Sequence, residues 1–267
     1  MSATMLLANP TPAASDDGNP IMSVLHHALD SSFTTIHAFG RDLEITRFQA
    51  MVGLTGLVLV VAALLVDKRT AVPRGFLRNS FESILLFIRD ELVRPAFGGH
   101  GDGFVPFFAT CFFFILTANL LGMLPIPVIG GTATSSLDVT AALAGIVILV
   151  SFVGGLVTAK SHFLHLFVPS GLPKALVPLL FVLELVGFFI KHGVLMVRLF
   201  ANMLAGHLVI GAFIGLIFLS KSWGVAVPAV GLSLFVSCLE LLVAFLQAYV
   251  FTLLAVLFVG GMVHPEH

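Results

Sequence analysis

Two stretches decide how this chain is built: Leu172 to Leu219, LPKALVPLLFVLELVGFFIKHGVLMVRLFANMLAGHLVIGAFIGLIFL, and Gly224 to Val263, GVAVPAVGLSLFVSCLELLVAFLQAYVFTLLAVLFVGGMV. They hold 48 and 40 residues with few charges. A helix through either would measure on the order of 70 or 60 Å, twice the hydrocarbon thickness of a bilayer. Each run is therefore either broken into two spans or strongly tilted and carried beyond the membrane. Hydropathy alone leaves both arrangements open. Ser220-Lys221-Ser222 is the polar break between them.

The composition agrees with lipid as the main solvent. Of 267 residues, 58% are hydrophobic and only 10% charged, where a soluble domain carries about a quarter charged. A net charge of -1 leaves no basic footprint for nucleic acid. Cys111 and Cys238 each sit in an apolar run, where a buried, inert thiol is expected, and neither has a CxxC neighbour.

Outward from those runs, Phe104 to Leu124 and Val139 to Ala159 read as two further spans, and Phe48 to Val66 as the first. Between the first and the next lies a segment with Arg74, Arg78, Arg89 and Arg94 interleaved with Phe81, Ile84, Leu85, Ile88 and Leu92. That pattern predicts a helix over about 76–95 lying in the membrane plane. The 67–95 segment has six Lys or Arg and the Val128–Asp138 hairpin has none, so the former faces the cytoplasm by the positive-inside rule. The N-terminus then lies outside and, with five crossings, the C-terminus inside.

Residues 1–47 form a polar N-terminal segment without an evident cleavable address. Val24, Leu25, Ala28, Leu29, Phe33 and Ile36 recur at helical spacing, which makes Ser23 to Phe39 a candidate surface helix. Residues 48–267 form a single membrane domain. The fold expected is all-α and polytopic, with five transmembrane helices, an in-plane helix and two long last helices.

An ionisable side chain near the bilayer centre costs ~2.5 to 3.5 kcal/mol on insertion scales, so each one retained is a site candidate. The first long run carries Glu184, Lys191, His192, Arg198, Asn202 and His207; the second carries Glu240 and Gln247. Glu184, Lys191 and Arg198 are spaced by sevens and share one side of a helix, with Asn202 one turn further. Glu240 and Gln247 make a second, narrower stripe. His207 lies nine residues past Arg198, about 180° around the helix, so the helix should have two polar environments.

Arginine stays protonated and suits a fixed charge that forces a passing carboxylate to ionise, which makes Arg198 a gate rather than a relay. Histidine and glutamate exchange protons near neutrality, so His207 and Glu240 suit a proton wire. Plainer roles stand beside these. Arg198 could tie helices together, Glu184 and Lys191 could snorkel or pair with neighbouring chains, and Asn202 and Gln247 could be hydrogen-bonding glue. His26, His27, His37, His100, His162, His165, His264 and His267 fall in aqueous segments.

The segments RLFANMLAGH (Arg198–His207) and LQAYVF (Leu246–Phe251), with NLLGMLP (Asn119–Pro125), closely resemble the subunit a family of the rotary ATP synthases from about residue 70 onward. The resemblance implies two long tilted helices packed along a ring of c subunits, with Arg198 facing that ring. It implies an outer half-channel lined by His207 and Glu240, Asn202 and Gln247 near the arginine, and Glu184 toward the cytoplasmic half-channel. Many bacterial relatives carry the acid and imidazole exchanged between the two helices; the order here is that of mitochondrial-type members. The implied setting is the cell (inner) membrane. The implied partners are the c-ring, the peripheral-stalk b subunits and the rest of the ATP synthase, with no cofactor, no metal and no catalytic site of the chain's own. A proton-coupled secondary transporter is the competing reading, although no internal repeat is evident. A haem-binding subunit is a third, yet His192 and His207 are not a facing pair from separate spans. Neither GxSxG nor HExxH occurs, which disfavours an intramembrane protease.

Overall fold

The computed structural model describes residues 32–38, 41–65, 76–97, 101–124, 133–159 and 176–263. From Arg47 onward these residues are helical, as expected of an all-α polytopic membrane protein. Helix α1 is Arg47–Leu65. Helix α2 runs Phe76–Phe87, passes through a π-helical turn at Ile88–Val93 and closes at Arg94–Phe97. After a 3-10 turn at Gly101–Phe104 come α3 (Val105–Met123), α4 (Leu137–Ala159), α5 (Val177–Ser220) and α6 (Trp223–Val263). The stretches Gly101–Met123, Leu137–Thr158, Val177–Ser220 and Trp223–Val263 are long and apolar enough to cross a membrane, and Phe48–Leu64 is a shorter apolar helix.

One expectation fails at the N-terminal end. Ser32–Ala38, inside the predicted surface helix, is strand β1, paired antiparallel with β2 (Arg41–Thr46) so that His37 lies opposite Asp42. Thr34, Thr35 and Ile36 are β-branched, and that local preference outweighs a weak helical periodicity. Residues 23–31 of that predicted helix, and the histidines at 26, 27, 100, 162, 165, 264 and 267, lie outside the described residues.

The two long runs are unbroken. Helix α5 has 44 residues and α6 has 41, about 66 and 62 Å of helix. Lys221 closes α5 in the left-handed conformation (φ 48°), its N–H donating to the Ile217 carbonyl, so the chain reverses within two residues. A long antiparallel hairpin results.

Helix α6 is the hub of the packing. Its inner half buries Ala248, Phe251, Ala255, Val256, Val259 and Val263 against Ile88 and Val93 of α2, Phe108, Phe112 and Ile115 of α3, Val147 of α4, and Leu195 and Leu199 of α5. In lipid, helix association rests on close packing rather than on water exclusion, which favours small residues at the seams. Gly260 shows this: a Cβ there would stand 3.2 Å from the Ala96 carbonyl oxygen, so α6 passes close over the end of α2. The buried face of α5 is confined to Phe188, His192, Leu195, Leu199, Met203 and Gly215. The rest of this helix presents apolar side chains outward, Leu183, Phe189, Ile190 and Val197 among them.

The α2 region is amphipathic, with an apolar side on α3 and α6 and a charged side opposite. Phe81 stacks on Phe113 of α3 with ring centroids 4.1 Å apart. On the polar side Arg94 bridges Asp90 at 2.8 Å and Asp102 at 3.3 Å, while Arg89 contacts Asp90 at 2.9 Å. The hydrogen bond from Arg89 holds the Asp90 carboxyl below its ordinary range. Of the two cysteines Cys111 is buried, whereas Cys238 is exposed on the outer side of α6, contrary to the expectation that both would be inside. An apolar run does not say which of its faces meets protein.

Gly101 is where α2 doubles back into α3. A Cβ there would fall 2.6 Å from Phe97 Cβ and 2.8 Å from Val93 Cγ1, with no flexible end to yield. Gly101→Ala is therefore expected to destabilise the chain by about 1–3 kcal/mol. Denaturant unfolding of the purified protein in detergent, followed by helical circular dichroism, measures this; an unchanged midpoint refutes the packing described.

Candidate functional site

In an antiparallel pair, each step up one helix is a step down the other. Three cross-contacts fix the register of α5 on α6: His192 with Phe258, Asn202 with Gln247, and His207 with Glu240. Of the polar residues legible in the sequence, Asn202 meets Gln247 and His207 meets Glu240 along this seam, while Glu184, Lys191 and Arg198 stand on the exposed side of α5.

Asn202 Nδ2 donates to Gln247 Oε1 at 2.9 Å. Gln247 is buried, so the bond satisfies an acceptor that has no water to turn to. Five residues further along α5, His207 Nδ1 stands 3.7 Å from Glu240 Oε1, with the glutamate side chain 5% exposed and the histidine 26%. That separation is within ion-pair reach but too long for a direct hydrogen bond. Imidazole and carboxyl thus face each other from different helices.

Gly206 makes this arrangement possible. A Cβ on it would lie 2.7 Å from Glu240 Oε1 and 2.9 Å from the carboxyl carbon, so the acid occupies the notch that the glycine leaves. The sequence reading did not single Gly206 out. Its signal was a residue without a side chain directly before an ionisable one in a membrane helix.

Arg198 occupies different surroundings. It is exposed, on a shallow outward groove of α5 shared with Ile190, Gly193, Val194 and Val197. Among the described residues no acid forms an ion pair with it. Lys191 and Glu184, which share its stripe, pair with each other at 3.7 Å, both half exposed. The half-turn offset between Arg198 and His207 is thus realised as two environments, an outward cation and an acid and imidazole inside the helix pair.

Two more polar groups are buried near this region. His192 is 1% exposed, between the rings of Phe188 and Phe258, with Nδ1 2.8 Å from the Phe188 carbonyl. A carbonyl only accepts, so Nδ1 carries the proton. His192 and His207 therefore do not form a facing pair. Asn119 of α3, fully buried, accepts a hydrogen bond of 2.7 Å from Thr134 in the turn before α4. That partner comes from a short 3-10 turn whose contacts no sequence periodicity announces.

Comparison with known proteins accords with this architecture. The sequence model of the family described as ATP synthase A chain matches residues 49–260. The chain is 41% identical over 232 residues to ATP synthase subunit a of Myxococcus xanthus (strain DK1622), covering 85% of this chain and 75% of that one. With ATP synthase subunit a of Maricaulis maris (strain MCS10) it shares 37% identity over 261 residues, 94% of this chain and 99% of the relative. A subunit a from Anaeromyxobacter sp. (strain Fw109-5) is 38% identical over 250 residues, 90% of this chain but 60% of that longer protein. On the extent of the family match and these identities, this chain belongs to the ATP synthase A chain family.

Proposed function

We propose that the chain is the stator subunit of the proton channel of an ATP synthase, in which Arg198 separates two offset half-channels and couples proton flow to rotation of a c-subunit ring. The observation that carries this reading is a permanent cation with no acid of its own among the described residues, on the outward and largely apolar face of α5, where Glu184 is taken by Lys191. A charge held in such a place needs a carboxylate from elsewhere.

In this scheme a proton enters from the outside by way of His207 and Glu240. The hydrogen-bonded Asn202 and Gln247 hold α5 against α6 one turn from the arginine. The proton neutralises a ring carboxylate, and a neutral site can turn into hydrocarbon where a charged one cannot. After nearly a full turn the site meets Arg198, whose field favours loss of the proton into an inner half-channel near Glu184. The Glu184–Lys191 pair lies two and four turns from Arg198 along the same side of α5, a distance that keeps the inner route apart from the outer acid. Rotation is obligatory because no continuous wire joins the two routes. Each proton crossing 100 mV yields ~2.3 kcal/mol, so several are needed per ATP.

The partners in this reading are the c-ring, the peripheral-stalk b subunits and the remainder of the complex in a cell (inner) membrane. The N-terminal segment, residues 1–47, lies outside and the C-terminus in the cytoplasm. The chain supplies the ion path and its geometry, and the ATP-forming chemistry belongs to other subunits.

Arg198→Ala in the assembled complex, with co-purification of the ring confirming assembly, is expected to abolish ATP synthesis driven by a proton gradient in reconstituted vesicles. Full coupled synthesis in that variant would overturn the gate. Glu240→Gln is expected to slow proton entry, and unchanged flux across pH 6 to 9 removes Glu240 from the route. Gly206→Ala tests the notch: by displacing the Glu240 carboxyl it should slow proton flux by about tenfold or more, following the cost of misplaced catalytic geometry. Flux at the unaltered rate with normal assembly would show that the carboxyl does not work from that position.

A further inference from the structure

His192 is buried, titratable and unused by the ion path proposed above. Its ring lies between Phe188 of α5 and Phe258 of α6, with centroids 4.4 and 4.6 Å away. Nδ1–H donates to the Phe188 carbonyl, and Nε2 is buried without a hydrogen-bond partner among the described residues. Packing alone does not account for such an atom, since a phenylalanine would fill the same slot with nothing left unpaired.

The charges around the ring decide which form of it the seam holds. On α5, Lys191 is adjacent and Arg198 six residues on, both cations, while Glu184 is engaged with Lys191 on the exposed side. On α6 the titratable groups are Cys238, Glu240 and Tyr249, the last of them nearest to Phe258 yet about 13 Å away along the helix axis. On α4, whose Phe152 meets Phe188, Asp138 is the sole ionisable residue of Leu137–Ala159 and lies at the far end. The Ala133–Ser135 turn, which also packs on α5, has none. Among the described residues no acid faces His192, whereas His207 has Glu240 at 3.7 Å. A second proton would put a cation and an unmatched N–H donor into apolar packing, and two phenyl faces return only part of the hydration lost. The packed seam accepts the neutral ring alone.

On the inner side of the Asn202–Gln247 bond, the buried residues of α5 are Phe188, His192, Leu195 and Leu199. We propose that His192 is a pH-responsive positioning residue: its neutral ring fastens this part of α5 to α6 and so fixes Arg198, and protonation from the cytoplasmic side releases it. The loosened pair binds one proton more than the packed pair, so acid on that side favours the loosened state. Proton flow and rotation then slow as the cytoplasmic side turns acid. The effect on flux rests on the channel reading, whereas the release itself concerns this chain alone.

Two measurements on the assembled complex separate the release from its effect. Backbone hydrogen exchange over residues 185–199, corrected for the intrinsic effect of pH, is expected to be faster at pH 6 than at pH 8 in the unaltered complex and alike at both in His192→Phe. Equal protection of the unaltered complex at the two pH values overturns the release. Passive proton flux in reconstituted vesicles is then followed under a fixed membrane potential while the pH on the cytoplasmic side is lowered from 8 to 6 and the other side is held. His192→Phe, with co-purification of the ring confirming assembly, should match the unaltered complex at pH 8 and exceed it about tenfold at pH 6, within the limit of tenfold per pH unit for one titrating group. The ratio of the two proteins cancels titration of the ring carboxylate and of Glu240, which they share. Parallel flux profiles overturn the positioning role and leave the channel reading to stand or fall on Arg198→Ala. If His192→Phe does not assemble, His192→Leu is read in the same way, and the exchange measurement on the unaltered complex needs no variant.

Discussion

Hydrocarbon offers a polar side chain no water, so every such group in a membrane helix must find its partner within protein or carry its charge to a place where another molecule supplies one. The α5–α6 seam meets this constraint only in part, since Gln247 Nε2 and Glu240 Oε1 are buried without a hydrogen-bond partner among the described residues. Gln247 is buried and takes its hydrogen bond from Asn202, and Glu240 is buried and faces His207 across the notch at Gly206. Once those two cross-contacts are made, the register of both helices is set along their whole length. The packing of α2, α3 and α4 on α6 then follows from which face of α6 remains free.

The same constraint accounts for what is left open. Arg198 points away from the seam, and its neighbours on that face, Ile190, Gly193, Val194 and Val197, provide no counter-charge. Most of the outward surface of α5 is apolar and uncovered. In the proposed function this face is half of an interface, and the charge it carries asks for an acidic partner there.

Close approach in this protein depends on absent side chains. Gly101 lets α2 turn into α3, Gly260 lets α6 cross the Ala96 carbonyl, and Gly206 admits the carboxyl of Glu240. These glycines act by different means from the charged residues, yet they set distances on which the charged residues depend.

The sequence by itself determined the helical class, the amphipathic character of α2, the bounds of the helices to within a few residues and the polar candidates, because apolar run length and the 3.6-residue period are local properties of the chain. It also determined that Arg198 and His207 lie on opposite sides of one helix, since nine residues make two and a half turns. Only the tertiary structure decided that both long runs are single helices, because a left-handed turn at Lys221 and contacts along α6 hold them, and hydropathy is the same for a broken run and a whole one. It decided that Ser32–Ala38 is a strand, which needed a partner strand, and that Cys238 is exposed, which needed to know where the neighbours stop. Pairings such as Asn202 with Gln247, His207 with Glu240 and Asn119 with Thr134 join residues far apart in the chain, and a partner's position is set by packing that no single helix encodes.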